Sequence, residues 1–184
     1  VSGGFLPNWL DRGLQRAEDL LLSLPRLLLL LVAASAVGPL PAWSLALLLA
    51  LTGWPRPARL IRSEVRWLRA HGCVEAARAL GASRWSRVRR HVVPALLPTF
   101  GVLLTTQVAS ALLLETGLSF LGLGLAPPAP SWGTVLQELG DVFGPARWLL
   151  VLPGLVVTCA VAALFRLADT LPLALDASRR RHVS

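Results

Sequence analysis

Methionine, tyrosine and lysine are all missing from this 184-residue chain. Without a methionine the chain carries no initiator, so it reads as a processed or partial product. Cysteine is scarce: Cys73 and Cys159 are the two present, too few for a disulfide framework and wrongly spaced for a metal site. Three scattered histidines (His71, His91, His182) do not repair that. The lack of lysine also rules out a Gly-Lys-Ser/Thr phosphate loop. Charge is sparse as well. Charged residues make up 15% of the chain, against roughly 25% in soluble domains. Hydrophobic residues make up 54% and the mean hydropathy is +0.62. That composition excludes an ordinary water-soluble domain and a disordered one.

The charge that is present is arginine. All 18 basic residues are Arg, against 10 acids, for a net +8. The surplus sits between Arg56 and His91, which hold most of the arginines and two acids, Glu64 and Glu75. A basic patch suits nucleic acid, anionic lipid or a cytoplasmic loop of a membrane protein. Its neighbours decide. Leu27 to Pro55, Val92 to Leu114 and Trp148 to Phe165 carry no charge, and about 20 apolar residues cross a bilayer core of about 30 Å. The first run is too long for one crossing and is broken by Gly38-Pro39-Leu40-Pro41, a turn signal. It reads as two helices; one tilted helix is the alternative. Arg26 then falls near the inner end of the first, where its stem can snorkel. Thr116 to Gln137 is also uncharged, but its glycines and prolines suit a loop with a re-entrant or interfacial portion.

The expectation is an all-α polytopic bundle: a lead-in over 1–19, spans near 20–37, 42–60, 92–114 and 148–166, a cytoplasmic loop over 61–91, an external loop over 115–147 and a basic tail over 176–184. The positive-inside rule puts both ends of the chain in the cytoplasm. A signal peptide does not fit, because Asp11, Glu18 and Asp19 spoil a basic leader.

Within the basic loop, Arg59, Arg62, Arg66 and Arg69 recur on one face of an amphipathic helix, opposite Ile61, Val65 and Leu68. A solvated or headgroup-facing stripe is the plainer reading of these arginines. Glu75-Ala76-Ala77-Arg78-Ala79-Leu80-Gly81-Ala82-Ser83 follows. Three alanines beside a Glu make a helix of little bulk. Gly81 allows a left-handed turn to end it, and Ser83 can cap a second short helix. Pro94 and Pro98 open the third span. A slim helix, an elbow and a second basic helix look built to seat in a partner's groove.

This loop resembles the EAA motif of bacterial ABC importer permeases, with its Gly at Gly81 and its closing pair at Val93-Pro94. Arg90-His91-Val92-Val93-Pro94 departs from the general motif in a way typical of the peptide/nickel branch. That branch is also similar at Leu114-Glu115-Thr116-Gly117-Leu118-Ser119-Phe120-Leu121-Gly122-Leu123-Gly124 and at Pro127-Pro128-Ala129-Pro130-Ser131-Trp132-Gly133, and more weakly at Ala168-Asp169 and Leu175-Asp176. The resemblance covers about Gly3 to Arg179. Such permeases usually have six spans, so it implies that the first two are absent here.

The resemblance implies further properties. The permease would pair with a second permease subunit above two cytoplasmic ABC ATPase subunits, and an extracytoplasmic solute-binding protein would deliver the solute. It would do no bond chemistry and hold no cofactor, with ATP bound by the ATPases. Glu75, Ala76, Ala77 and Gly81, closed by Pro94, would couple it to them. The solutes would be peptides or similar small molecules such as nickel chelates or opines.

Among the span residues, Thr106, Gln107 and Ser110 line the solute path or bond a neighbouring helix or their own backbone. Glu115 is either a deep functional charge or an anchor at the outer interface. Trp132 packs the external loop, and Trp43, Trp54 and Trp148 suit helix-end belts. Three rival readings remain. A channel or secondary transporter would need more deep charges than Glu115. A membrane-anchored nucleic-acid binder would need a recognition motif, and none accompanies the patch. The third is a degraded, non-functional permease copy.

Overall fold

The computed structural model describes residues 8–38, 40–70, 81, 83–141 and 151–181. Every regular element among them is helical. α1 (Asn8–Ser23) and α2 (Arg26–Val37) are separated at Pro25 by a bend of 89°. Pro25 has no N–H and disfavours helix in the residue before it, so the first helix stops there. α3 (Ala42–Gly53) leads at Trp54 into α4 (Pro55–Ala70). α5 (Arg84–Arg87) passes through a π-turn at Val88–Val92 into α6 (Val93–Phe120). α7 (Trp132–Asp141) and α8 (Val151–Arg181) complete the described chain.

α6 is the hub. α8 packs along it, α7 folds back on its end, and α2, α3 and α4 also touch it. Val93, Leu97, Phe100, Leu104 and Val108 are exposed along α6 at helical spacing. In water such a stripe would be a liability; facing lipid or another subunit it has no such cost. The buried cluster is small: Leu30 and Ala34 of α2, Leu40, Leu45 of α3 and Leu118 of α6. It gathers where the α2–α3 turn meets the loop after α6. There Leu40 N–H donates to Gly124 O at 3.1 Å, and Ala126 N–H donates to Leu40 O at 2.9 Å. The turn and the loop, both expected on the external side, therefore lie together.

The helices depart in places from the expected spans. α6, Val93–Phe120, and the segment Val151–Thr170 are each long and apolar enough to cross a membrane, and the bent α1–α2 pair makes a third if it is one span. Region 20–37 is split by Pro25, so 20–23 belong to α1. Region 42–60 is split at Trp54. α3 alone has 12 residues, about 18 Å of helix. α6 runs past 114 to Phe120, and α7 occupies part of the external loop.

Candidate functional site

The turn at Gly81 and the short helix after it lead into the foot of α6. Glu75, Ala76 and Ala77 fall outside the described residues. Gly81 takes φ +79, the left-handed conformation that glycine adopts without steric penalty. Two residues on, Ser86 N–H donates to Ser83 Oγ at 3.2 Å. Ser83 therefore caps α5 through its side chain. The chain then widens into the π-turn, where Val93 N–H donates to Val88 O, one residue beyond the α-helical partner. Pro94 follows in the first turn of α6. It has no N–H of its own, so the helical ladder is interrupted where the π-turn joins the long helix.

A second cluster holds α4 to α1. Arg62 donates from Nη1 and Nη2 to the two carboxylate oxygens of Glu18, both at 2.8 Å. Its Nε lies 3.9 Å from Asp11. Glu18 is 1% exposed and Arg62 24%. Arg59 reaches Asp19 at 2.6 Å in an exposed pair. The hydrogen bond to Glu18 holds the Arg62 guanidinium above its ordinary pKa, against the opposing effect of burial. A stripe expected to face solvent or headgroups thus spends two arginines on α1. The signal was present: Asp11 and Glu18 lie about two helical turns apart, on one face. Pairing them with α4 required the fold.

Inside the bundle, Arg26 does not snorkel. Its Nε donates to Thr52 Oγ1 at 3.3 Å, Nη1 to Ser110 Oγ at 3.1 Å and Nη2 to Leu49 O at 2.7 Å. The guanidinium ties α2 to α3 and α6. Gln107 Nε2 donates to Gly53 O at 2.9 Å, while Thr106 Oγ1 donates to Val102 O of its own helix at 2.6 Å. Of the polar trio in the third span, Gln107 and Ser110 therefore bond neighbouring helices and Thr106 its own backbone. Such bonds satisfy groups that lipid cannot. Sequence reasoning missed Arg26 as an interior tie.

Glu115 lies one turn before the end of α6, not at the end of a helix. Ser119 Oγ donates to its Oε1 at 2.7 Å. Glu115 faces an open cleft of about 400 Å³, lined also by Leu125, Pro130, Ser131, Trp132 and Val135. Two glycines make this corner. A Cβ on Gly124 would overlap Ser119 Oγ, and one on Gly133 would overlap Thr116 O and approach Phe120 N to 2.7 Å. The loop and the start of α7 can therefore lie directly on the backbone of α6. Ser131 and Thr134 cap α7 reciprocally, each backbone N–H donating to the other's hydroxyl oxygen at 3.0 and 3.1 Å. Gly133→Ala is expected to destabilise the protein by about 3 kcal/mol, because the added atom meets backbone that cannot turn away. Thermal unfolding in micelles checks it; an unchanged midpoint would refute the close packing of α7 on α6.

Apolar helices joined by basic amphipathic ones, with polar side chains bonded between helices, define an all-α, multi-pass membrane component. The chain belongs to the family of binding-protein-dependent transport system inner membrane components, whose family model matches residues 2–181. This is a family of transport permeases and not of enzymes. Among similar proteins, one from Brucella ovis named as a candidate peptide permease is 39% identical over 171 residues, covering 92% of this chain and 56% of that one. A candidate peptide transport system permease from Brucella suis biovar 1 is 36% identical over 168 residues, 90% of this chain and 56% of that one. A glutathione transport system permease protein from Pectobacterium atrosepticum is 31% identical over 176 residues, 96% and 58% respectively. The chain spans a little over half the length of these curated relatives.

Proposed function

We propose that this chain forms part of the translocation pathway of an ATP-driven importer for peptides or similar small solutes. In this reading the short α2 and α3 count as two passes beside α6 and α8, which puts both ends in the cytoplasm. It pairs with a second permease subunit, and an extracytoplasmic binding protein presents the solute. Two cytoplasmic ATPases bind the ATP and seat the segment from Glu75 to Gly81. Nickel chelates and opines stay within the solute range; the names of the similar proteins favour peptides, glutathione included.

The observation that carries this reading is the Gly81 elbow, followed by the Ser83-capped α5 at the foot of α6. A thrust received at the elbow has a short, continuous route through the π-turn into α6, a helix of 28 residues. The density of arginine around it favours the cytoplasmic side. The absence of lysine from this sequence fits a reading in which a partner binds the nucleotide.

The test is reconstitution. Candidate ATPases and a candidate second permease are purified with and without it. Co-purification, with ATP hydrolysis stimulated by solute-loaded binding protein only when the chain is present, is the expected result. Hydrolysis indifferent to the chain would overturn the proposal.

A further inference from the structure

We propose that the cleft between the last turns of α6 and the start of α7 binds a primary ammonium group, and that its physiological ligand is the free amino terminus of a transported peptide. The second half of that statement rests on the importer reading above; the first does not.

The carboxylate of Glu115 is the charged group of the cleft. Ser119 donates to one of its oxygens. Among the described residues, no arginine lies within ion-pair distance of it; the described pairs join Arg59 and Arg62 to Asp19, Asp11 and Glu18. A half-buried carboxylate near the end of a membrane helix is costly without a counter-charge. The helix keeps one and turns it into open space. The other walls are apolar: Leu125, Pro130, Val135 and the indole of Trp132. An indole and a carboxylate lining one cleft suit an organic cation, which both can attract. The volume of about 400 Å³ falls within the usual range for small-ligand sites.

The lining argues against the other ligand classes. Calcium takes six to eight oxygens, and zinc wants several His, Cys or carboxylate ligands. The lining offers one carboxylate and a Ser131 hydroxyl already engaged in capping α7. An anion would meet the carboxylate head-on. An ammonium carries three donors, few enough for the remaining carboxylate oxygen and nearby water to satisfy. The cleft lies beside the Leu40–Leu125 contact, at the end of the bundle away from the α1–α4 arginine pairs. That is where an incoming solute would first meet the permease.

The experiment uses the full chain in lipid nanodiscs with ¹⁵N-labelled tryptophan. The Trp132 indole signal is assigned by its loss in Trp132→Phe. Titrants are trialanine, N-acetyl-trialanine and methylammonium, at a pH near 7 where a free amino terminus is protonated. Trialanine and methylammonium are expected to shift the signal saturably, and the acetylated peptide to leave it in place. Glu115→Gln is expected to weaken the trialanine response by about tenfold, and Glu115→Asp to restore part of it. A response to the acetylated peptide equal to that of trialanine overturns the assignment. So does no response to trialanine, or a response unchanged in Glu115→Gln. Should Glu115→Gln fail to fold, the two peptides on the unaltered chain still decide. A silent cleft in a chain that still stimulates its ATPases removes this site and leaves the importer standing. A responsive cleft without ATPase stimulation does the reverse.

Discussion

Gly81→Asp is expected to cut ATP-dependent uptake by about tenfold or more while the inserted amount of permease stays the same. The backbone at Gly81 has φ +79, where a side chain costs roughly 1–2 kcal/mol. No described atom lies within 4 Å of the position its Cβ would take. The fold of the bundle therefore survives the substitution. What changes is the elbow: it becomes strained, bulkier and negatively charged, at the surface proposed to seat in the ATPase. Asn tolerates the left-handed region better than Val does, so Gly81→Asn should be milder than Gly81→Val if conformation is what matters. Glu75→Lys, outside the described residues, is expected to uncouple in the same manner. Normal uptake into vesicles by Gly81→Asp or Glu75→Lys would refute the coupling role, and near-equal values for the Asn and Val variants would refute the conformational explanation.

The second large effect concerns the hold of α1 on α4. Arg62→Ala leaves the Glu18 carboxylate, 1% exposed, without its bidentate partner. Removing one member of a buried pair costs about 3–5 kcal/mol. Arg59→Ala removes a pair whose side chains are 53% and 70% exposed, for which less than about 1 kcal/mol is expected. The contrast is the prediction: a large fall in unfolding midpoint for Arg62→Ala and almost none for Arg59→Ala, followed by tryptophan fluorescence in micelles. Exchanging the charges, Glu18→Arg with Arg62→Glu, should recover part of the loss. Equal effects at the two arginines would mean that α1 is not clamped through Glu18. The direction with pH follows from the raised Arg62 pKa. A cation held more tightly in the folded state contributes its full stability below its ordinary pKa and loses it only as pH climbs past the raised value. Moderate alkali should therefore not release the clamp through Arg62.

Much of this was legible in the residues. Charge-free runs separated by an arginine-rich stretch announce a helical membrane protein, because lipid tolerates few charges and no unbonded backbone. The Gly81 elbow and the Ser83 cap could be read because both depend on neighbours a few residues away. Of the glycines expected to form a loop, Gly122 and Gly124 do so, while Gly117 lies inside α6 and Gly133 inside α7. A further use was not legible: Gly124 and Gly133 clear space for the backbone of α6, and nothing local says which helix will approach. Glu115 was left between two readings because its meaning depends on a cleft formed by residues 125–135.

The chain's order of apolar and basic segments determined its helical class and its membrane setting, since those follow from transfer energies and short-range backbone preference. Only the folded arrangement decided that Arg26 turns inward onto Ser110, that Arg62 closes on Glu18, and that Glu115 faces an open cleft. Each of these joins residues remote in sequence, and their pairing is set by which helix faces meet in space.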